Sequence, residues 1–167
     1  MFEVGDFVIY GSKGVCKVLK VGPIDMPGVS KDKLYYTLSQ IYLKGSTIFT
    51  PVDNDKIRIR KILTKKEADL LIEEVRSLEP TWISDDKERE KIFTEALRNG
   101  DCKSLFKMII SLYKRKEDRI ADGKKATSTD ERYFHAAEDI LYGELAIPLG
   151  INKDEVRDYI MNCVTNS

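Results

Sequence analysis

Hydrophobic and polar positions change period near residue 63. Before that point the apolar residues come in short runs that alternate or cluster over four to ten positions. The first is Phe7-Val8-Ile9-Tyr10, the second residues 15–21, the third residues 34–43, the fourth residues 46–50, and the last Ile57-Arg58-Ile59-Arg60. Turn-forming residues separate them: Gly11-Ser12-Lys13-Gly14, a loop over residues 22–33 carrying Pro23, Pro27 and Gly28, then Lys44-Gly45, and Pro51 with Asp53-Asn54. Period-two runs bounded by such residues predict strands. Five short strands in about 60 residues predict a small SH3-like or Tudor-like β-barrel.

After Leu63 the spacing becomes helical. Thr64 and Glu67 form a Thr-x-x-Glu capping box ahead of Ala68, Leu71, Ile72 and Val75, the apolar side of a first helix. A junction at Glu79-Pro80-Thr81-Trp82 follows, with N-cap oxygens offered by residues 81–84 and helix-start acids at Asp85, Asp86 and Glu88. A second helix is predicted over residues 87–98, stopped by Asn99-Gly100. Asp101 caps a third, with Leu105, Met108, Ile109 and Leu112 inward, that ends at Asp122-Gly123. Ser128 and Thr129 open a fourth that runs to about Ile147, and Pro148-Leu149-Gly150 breaks it. Asn152 caps the last, which carries Val156, Tyr159, Ile160 and Cys163. The expectation is an α+β protein in two domains, 1–62 a barrel and 63–167 all helical.

Composition narrows the function more by exclusion than by assertion. No apolar run approaches the roughly 20 residues that span a membrane, and residues 1–6 do not read as a signal peptide, so a cytoplasmic location is expected. The cysteines Cys16, Cys102 and Cys163 are far apart, and His135 is the one histidine. No metal-ligand spacing or CxxC arises, and no metal or cofactor is expected. Nucleotide-binding glycine motifs and a nucleophile elbow are missing as well, which argues against an enzyme. Formal net charge is zero. Nine Lys/Arg against six Asp/Glu give +3 over residues 1–60, and nineteen against twenty-two give −3 over residues 61–167. Contact with nucleic acid therefore needs a local patch.

Two stretches carry candidate chemistry. Residues 114–132 hold seven bases (Lys114, Arg115, Lys116, Arg119, Lys124, Lys125, Arg132) against five acids. Such a run is either a solvated helix face or a patch that contacts phosphates. Lys87, Arg89 and Lys91 extend it past Trp82, the only tryptophan. An indole flanked by bases is either a core plug or a wedge for a duplex edge. In the first half, Ser46-Thr47-Ile48-Phe49-Thr50 is apolar in a sheet small enough to leave an edge open, which reads as an ordinary strand or as a template for a partner strand.

The ordered series of motifs resembles the CarD (CdnL-like) family of bacterial RNA polymerase-binding transcription regulators. It runs from Phe2-Glu-Val-Gly-Asp-x-Val-x-Tyr10 with Gly14, through Tyr36 to Pro51 ending Thr-Ile-Phe-Thr-Pro, to Trp82. It continues with Asn99-Gly-Asp101, Leu112-Tyr-Lys-Arg115, Asp130-Glu-Arg132 and Ala137-Glu-Asp-Ile-Leu-Tyr-Gly-Glu-Leu-Ala146. The resemblance implies a Tudor-like N-terminal domain that docks on the polymerase β subunit and a helical domain that touches promoter DNA. In that family the tryptophan lies against the minor groove at the upstream edge of the transcription bubble and hinders its closure, which stabilises the open complex.

Carried onto this chain, the resemblance makes Trp82 the wedge. Lys87, Arg89, Lys114, Arg115, Lys125 and Arg132 become candidate DNA contacts. Ile24, Met26, Thr47, Ile48, Phe49 and Pro51 become candidate polymerase contacts. The partners implied are the RNA polymerase β subunit and promoter DNA, bound by a monomer without operator-type reading. Three departures stand out. Phe49 replaces an arginine found in some members, the spacing from Trp82 to Gly100 is about one helical turn longer than in shorter members, and Asp85-Asp86 place acids beside the indole. The rival reading is a protein–protein adaptor whose helices scaffold and never touch DNA.

Overall fold

The computed structural model describes residues 1–81 and 83–165. The chain divides into two compact units, Met1–Ile62 and Leu63–Ser167.

The first unit is one antiparallel sheet. Its strands are β1 (Phe7–Tyr10), β2 (Val15–Gly22), β3 (Tyr35–Gln40), β4 (Thr47–Pro51) and β5 (Ile59–Lys61), in spatial order β4-β3-β2-β1-β5. The ladder is open: among the described residues β4 and β5 lie at opposite edges and do not pair, so the closed barrel expected from the sequence is corrected to an open sheet. A short 3-10 turn, Gly11–Lys13, joins β1 to β2, and Gly14 completes it at φ 75° and ψ −148°, a region essentially limited to glycine. Val8 lies opposite Cys16, Val18 opposite Leu38, and Val21 opposite Tyr36, so one face gathers a continuous apolar cluster. The register shifts by one residue between Val18 and Lys20. This bulge leaves Leu19 unpaired and exposed, and it puts Val21 rather than Lys20 on the buried face.

Among the described residues the second unit has five α-helices around one core. α1 (Lys65–Glu74) starts with the predicted capping box: Thr64 accepts from the Glu67 N–H and Glu67 from the Thr64 N–H. α2 (Asp86–Asn99) is capped by Asp85, not by residues 81–84, and ends on Gly100 in the left-handed conformation. α3 (Cys102–Ala121) is capped by Asp101. α4 (Ser128–Leu149) is capped by Thr127, one residue before the predicted start, and α5 (Val156–Thr165) follows a single 3-10 turn at Lys153–Glu155. Pro148 sits inside the last turn of α4 and does not break it. A proline there sacrifices one hydrogen bond while its fixed φ suits the helix, and Gly150 ends the helix two residues later.

α4 is the central helix: its buried Ala137, Ile140, Leu141 and Leu145 join Ala68 and Ile72 of α1, Phe93 of α2, Leu105 and Leu112 of α3, and Val156 and Ile160 of α5 in one cluster. Glu144 is fully buried there, accepting from the Leu63 N–H at 2.9 Å and the Cys102 Sγ at 3.0 Å. Among the described residues no helix is long and apolar enough to cross a membrane.

Candidate docking edge and nucleic-acid interface

The two edges of the sheet differ in chemistry. β5 is three residues long, begins after the exposed Arg58, and carries Lys61, which lies 3.6 Å from Asp6. Short length and charge are the usual protection of an edge strand. β4 has five residues and no charge. Val52 N–H bonds the Leu34 carbonyl at 3.0 Å, in register with Tyr36↔Thr50 and Leu38↔Ile48. Antiparallel ladders alternate, so Ile48 and Thr50 spend their main-chain groups on β3. Thr47, Phe49 and Pro51 turn theirs outward, and proline offers only its carbonyl.

The side chains follow the same alternation. Thr50 is buried and Ile48 packs against the sheet's apolar cluster, while Thr47 and Phe49 stand on the exposed face, Phe49 at 44% exposure. Met26 is also exposed. Ile24, expected with these as a polymerase contact, is 8% exposed, so its side chain offers a partner little surface.

Residues 2–63 match the family model of the CarD-like/TRCF RID domain. The match supports a CarD-like, RNA polymerase-interacting module in this part of the chain. The matched stretch is the sheet unit without Met1, extended to Leu63, so the family likeness and the uncharged open edge fall on the same part of the chain. The CarD-like RNA polymerase-interacting family is not an enzyme family. Burial agrees with the inert thiol expected at Cys16, pushing it up to about 11.

In the helical unit, the predicted basic residues fall into two groups. The first is engaged within the chain. Arg115 Nε donates to Asp130 Oδ2 at 2.6 Å, with side-chain exposures of 24% and 11%, and so ties the end of α3 to the first turn of α4. Lys114 lies 3.2 Å from Asp118, and Lys116 lies 3.6 Å from Glu131. Arg89 has a side chain only 12% exposed, and donates to the Ile83 carbonyl and to Asp86 Oδ1. Two of its guanidinium donors are thus engaged around the start of α2.

The second group is Lys87, Lys125 and Arg132, all exposed and, among the described residues, outside any ion pair. Lys125 sits in the loop before α4, where its carbonyl accepts from Arg119 Nε at 2.8 Å, which fixes the loop main chain while the ammonium stays in solvent. Arg132 lies over the Tyr133 ring at 5.9 Å. Tyr133 and Lys87 line one groove between α2 and α4 with Glu90, Lys91 and Thr94. Tyr133 Oη is 3.3 Å from both Glu90 Oε1 and Thr94 Oγ1. Lys87 thus lines this groove, and Arg132 touches it only through the Tyr133 ring. Trp82, the predicted wedge, lies outside the described residues.

Sequence reasoning marked the junction at residues 79–82 but missed what holds Thr81 and Ile83. Thr81 N–H donates to Ser111 Oγ at 2.8 Å, and the Ile83 carbonyl accepts from Arg89 Nη1 at 3.2 Å. A serine at a half-polar position of α3 was the available signal, since serine weakens helix interiors unless its hydroxyl is used.

Proposed function

We propose that the chain is a non-catalytic transcription regulator that docks on the RNA polymerase β subunit through the β4 edge and stabilises the open promoter complex through its helical unit. In this reading the sheet unit is a Tudor-like module, one copy acts per polymerase, and the protein is cytoplasmic, associated with the nucleoid through polymerase. The observation that carries the reading is the uncharged, outward-bonding edge at Thr47, Phe49 and Pro51 inside the stretch that matches the RID family. A β-subunit strand adds to that edge through main-chain bonds, while Phe49 supplies apolar contact on the exposed face.

Docking tethers the helical unit beside promoter DNA and raises its effective concentration there. Lys87, Lys125 and Arg132 meet phosphates, and Trp82 stands at the upstream edge of the bubble, against the minor groove, as the family resemblance implies. Preference for the melted state by about 1.4 kcal/mol shifts the closed–open balance tenfold. Zero net charge fits a factor whose DNA contact is weak unless polymerase holds it in place.

The adaptor reading draws on one observation, the in-chain pairing of Lys114, Arg115 and Lys116 with acids. A footprint of polymerase on promoter DNA separates the two. Added full-length chain extends protection at the upstream bubble edge if the helical unit touches DNA; an unchanged footprint with bound chain leaves the adaptor.

A further inference from the structure

The side of the sheet turned away from its apolar cluster carries a pattern of its own. The ladder sets its residues in rows, Phe7 beside Lys17 in one, and Lys20 beside Thr37 and then Phe49 in the next. One end of this side is covered, since Ile9 and its neighbour Val15 are buried. Beyond that end it opens, and both lysines are exposed. The bulge is what brings Lys20 here, and it leaves the exposed Leu19 next to it. Lys17 Nζ lies 5.7 Å from the centre of the Phe7 ring. On the same side Tyr35, two residues before Thr37, has Lys33 Nζ 5.8 Å from its ring centre. None of the three lysines joins an ion pair among the described residues. No Asp or Glu occurs in any of the five strands.

We propose that this face is the second half of the docking surface and that the polymerase segment covering it is acidic. Its carboxylates meet Lys17, Lys20 and Lys33, and its apolar side chains pack on Phe49 and Leu19. The inference rests on the docking reading above and adds to it. A strand paired to β4 reaches only the sheet's edge, whereas Lys20 lies two strands further in, about 10 Å away. The partner therefore folds over the sheet as well as extending it. Phe49 belongs to both halves, with its main chain on the edge and its side chain on the face. Exposed cations on strands without a single acid are complementary to carboxylates, and such charges steer association more than they add to final affinity. A single nucleic-acid strand fits the face less well. Ammonium groups already lie over two of the rings on which bases would stack, and Leu19 has no ring to offer.

The test is binding of the full chain to immobilised core polymerase at low and at raised salt. Lys17→Glu combined with Lys20→Glu is expected to lower affinity at least about tenfold, chiefly through slower association. Lys17→Gln combined with Lys20→Gln is expected to lower it less and to flatten its salt dependence. Both lysines are exposed, so thermal melting of the glutamine pair stays at the parent's value, which keeps the test readable if charge reversal disturbs the fold. Parental affinity and parental salt dependence in both double variants, while Phe49→Pro weakens binding, overturn the acidic partner and leave edge docking standing. A parent that does not bind core polymerase sinks the docking reading and this inference with it. Fluorescence polarisation with a labelled single-stranded oligonucleotide tests the other polyanion. Capture that the lysine variants lose, at unchanged polymerase affinity, overturns the proposal and gives the face to nucleic acid.

Discussion

Proline scanning of β4 gives opposite results at neighbouring positions if the edge is a docking template. Phe49 directs its N–H away from β3, so Phe49→Pro removes a donor that the fold does not use. Phe49 is 44% exposed, so truncating it forfeits only part of a phenylalanine's burial, about 1 kcal/mol. An added strand loses one hydrogen bond, worth about 0.5–1.5 kcal/mol, and meets the pyrrolidine ring besides. Polymerase affinity should fall at least about tenfold. Ile48→Pro acts on the other parity. It removes a bond to Leu38, exposes that carbonyl's loss at about 1–3 kcal/mol, and strips a side chain from the apolar cluster. In a unit of about 60 residues that loss threatens the fold itself. Biolayer interferometry of the full chain on core polymerase, paired with heteronuclear NMR of the sheet resonances, reads both effects. A folded Phe49→Pro variant with parental affinity would refute strand addition at this edge. Phe49→Glu, which keeps the N–H, should weaken binding through the side chain alone.

Three further outcomes follow from the same coordinates. Glu144→Leu leaves the Leu63 N–H without its buried acceptor and removes one partner of Cys102, at about 2–4 kcal/mol; thermal melting should drop by about 10–20 °C, and a shift below about 4 °C contradicts the role given to this carboxylate. Burial pushes the Cys16 thiol from 9.0 up to about 11, so the unfolded chain ionises first. The associated stability is intact below about pH 9 and fades as pH rises toward 11, by about 1.4 kcal/mol per pH unit. Urea melts on either side of that window should show a steeper alkaline loss for the parent than for Cys16→Ala, and equal slopes would contradict it. Arg132→Ala and Lys125→Ala should each lower the salt dependence of promoter-complex formation by about one counterion without changing thermal stability, whereas Arg115→Met should destabilise by breaking the Asp130 pair. Reversed assignments would exchange the two groups of bases.

Local signals made much of the fold readable in advance. Thr64 with Glu67, Asn99-Gly100 before Asp101, and the switch from period two to helical spacing near residue 63 each act through neighbouring residues, and each holds in the structure. What could not be read depends on contacts far apart in the chain. The bulge at Leu19 decides which of Lys20 and Val21 faces the core, and two registers of pairing fit the same sequence. Ile24 looks like an exposed loop residue until tertiary packing covers it. Arg89 and Lys87 are similar in composition and spacing, yet one reaches back to Ile83 and Asp86 while the other stays in solvent. Pro148 reads as a breaker because the rule is local, and it is tolerated because it falls within the last turn of the helix. The β4 edge was legible as an apolar run; that its opposite neighbour is missing required the sheet order.

The most direct test of the division between holding polymerase and acting on DNA is the equilibrium fraction of open promoter, followed by a fluorophore inside the bubble at saturating full-length chain. The account predicts that Trp82→Ala binds core polymerase like the parent but loses most of the stimulation, and that Phe49→Glu regains stimulation only when its concentration is raised. Parental stimulation by Trp82→Ala at full occupancy would contradict it.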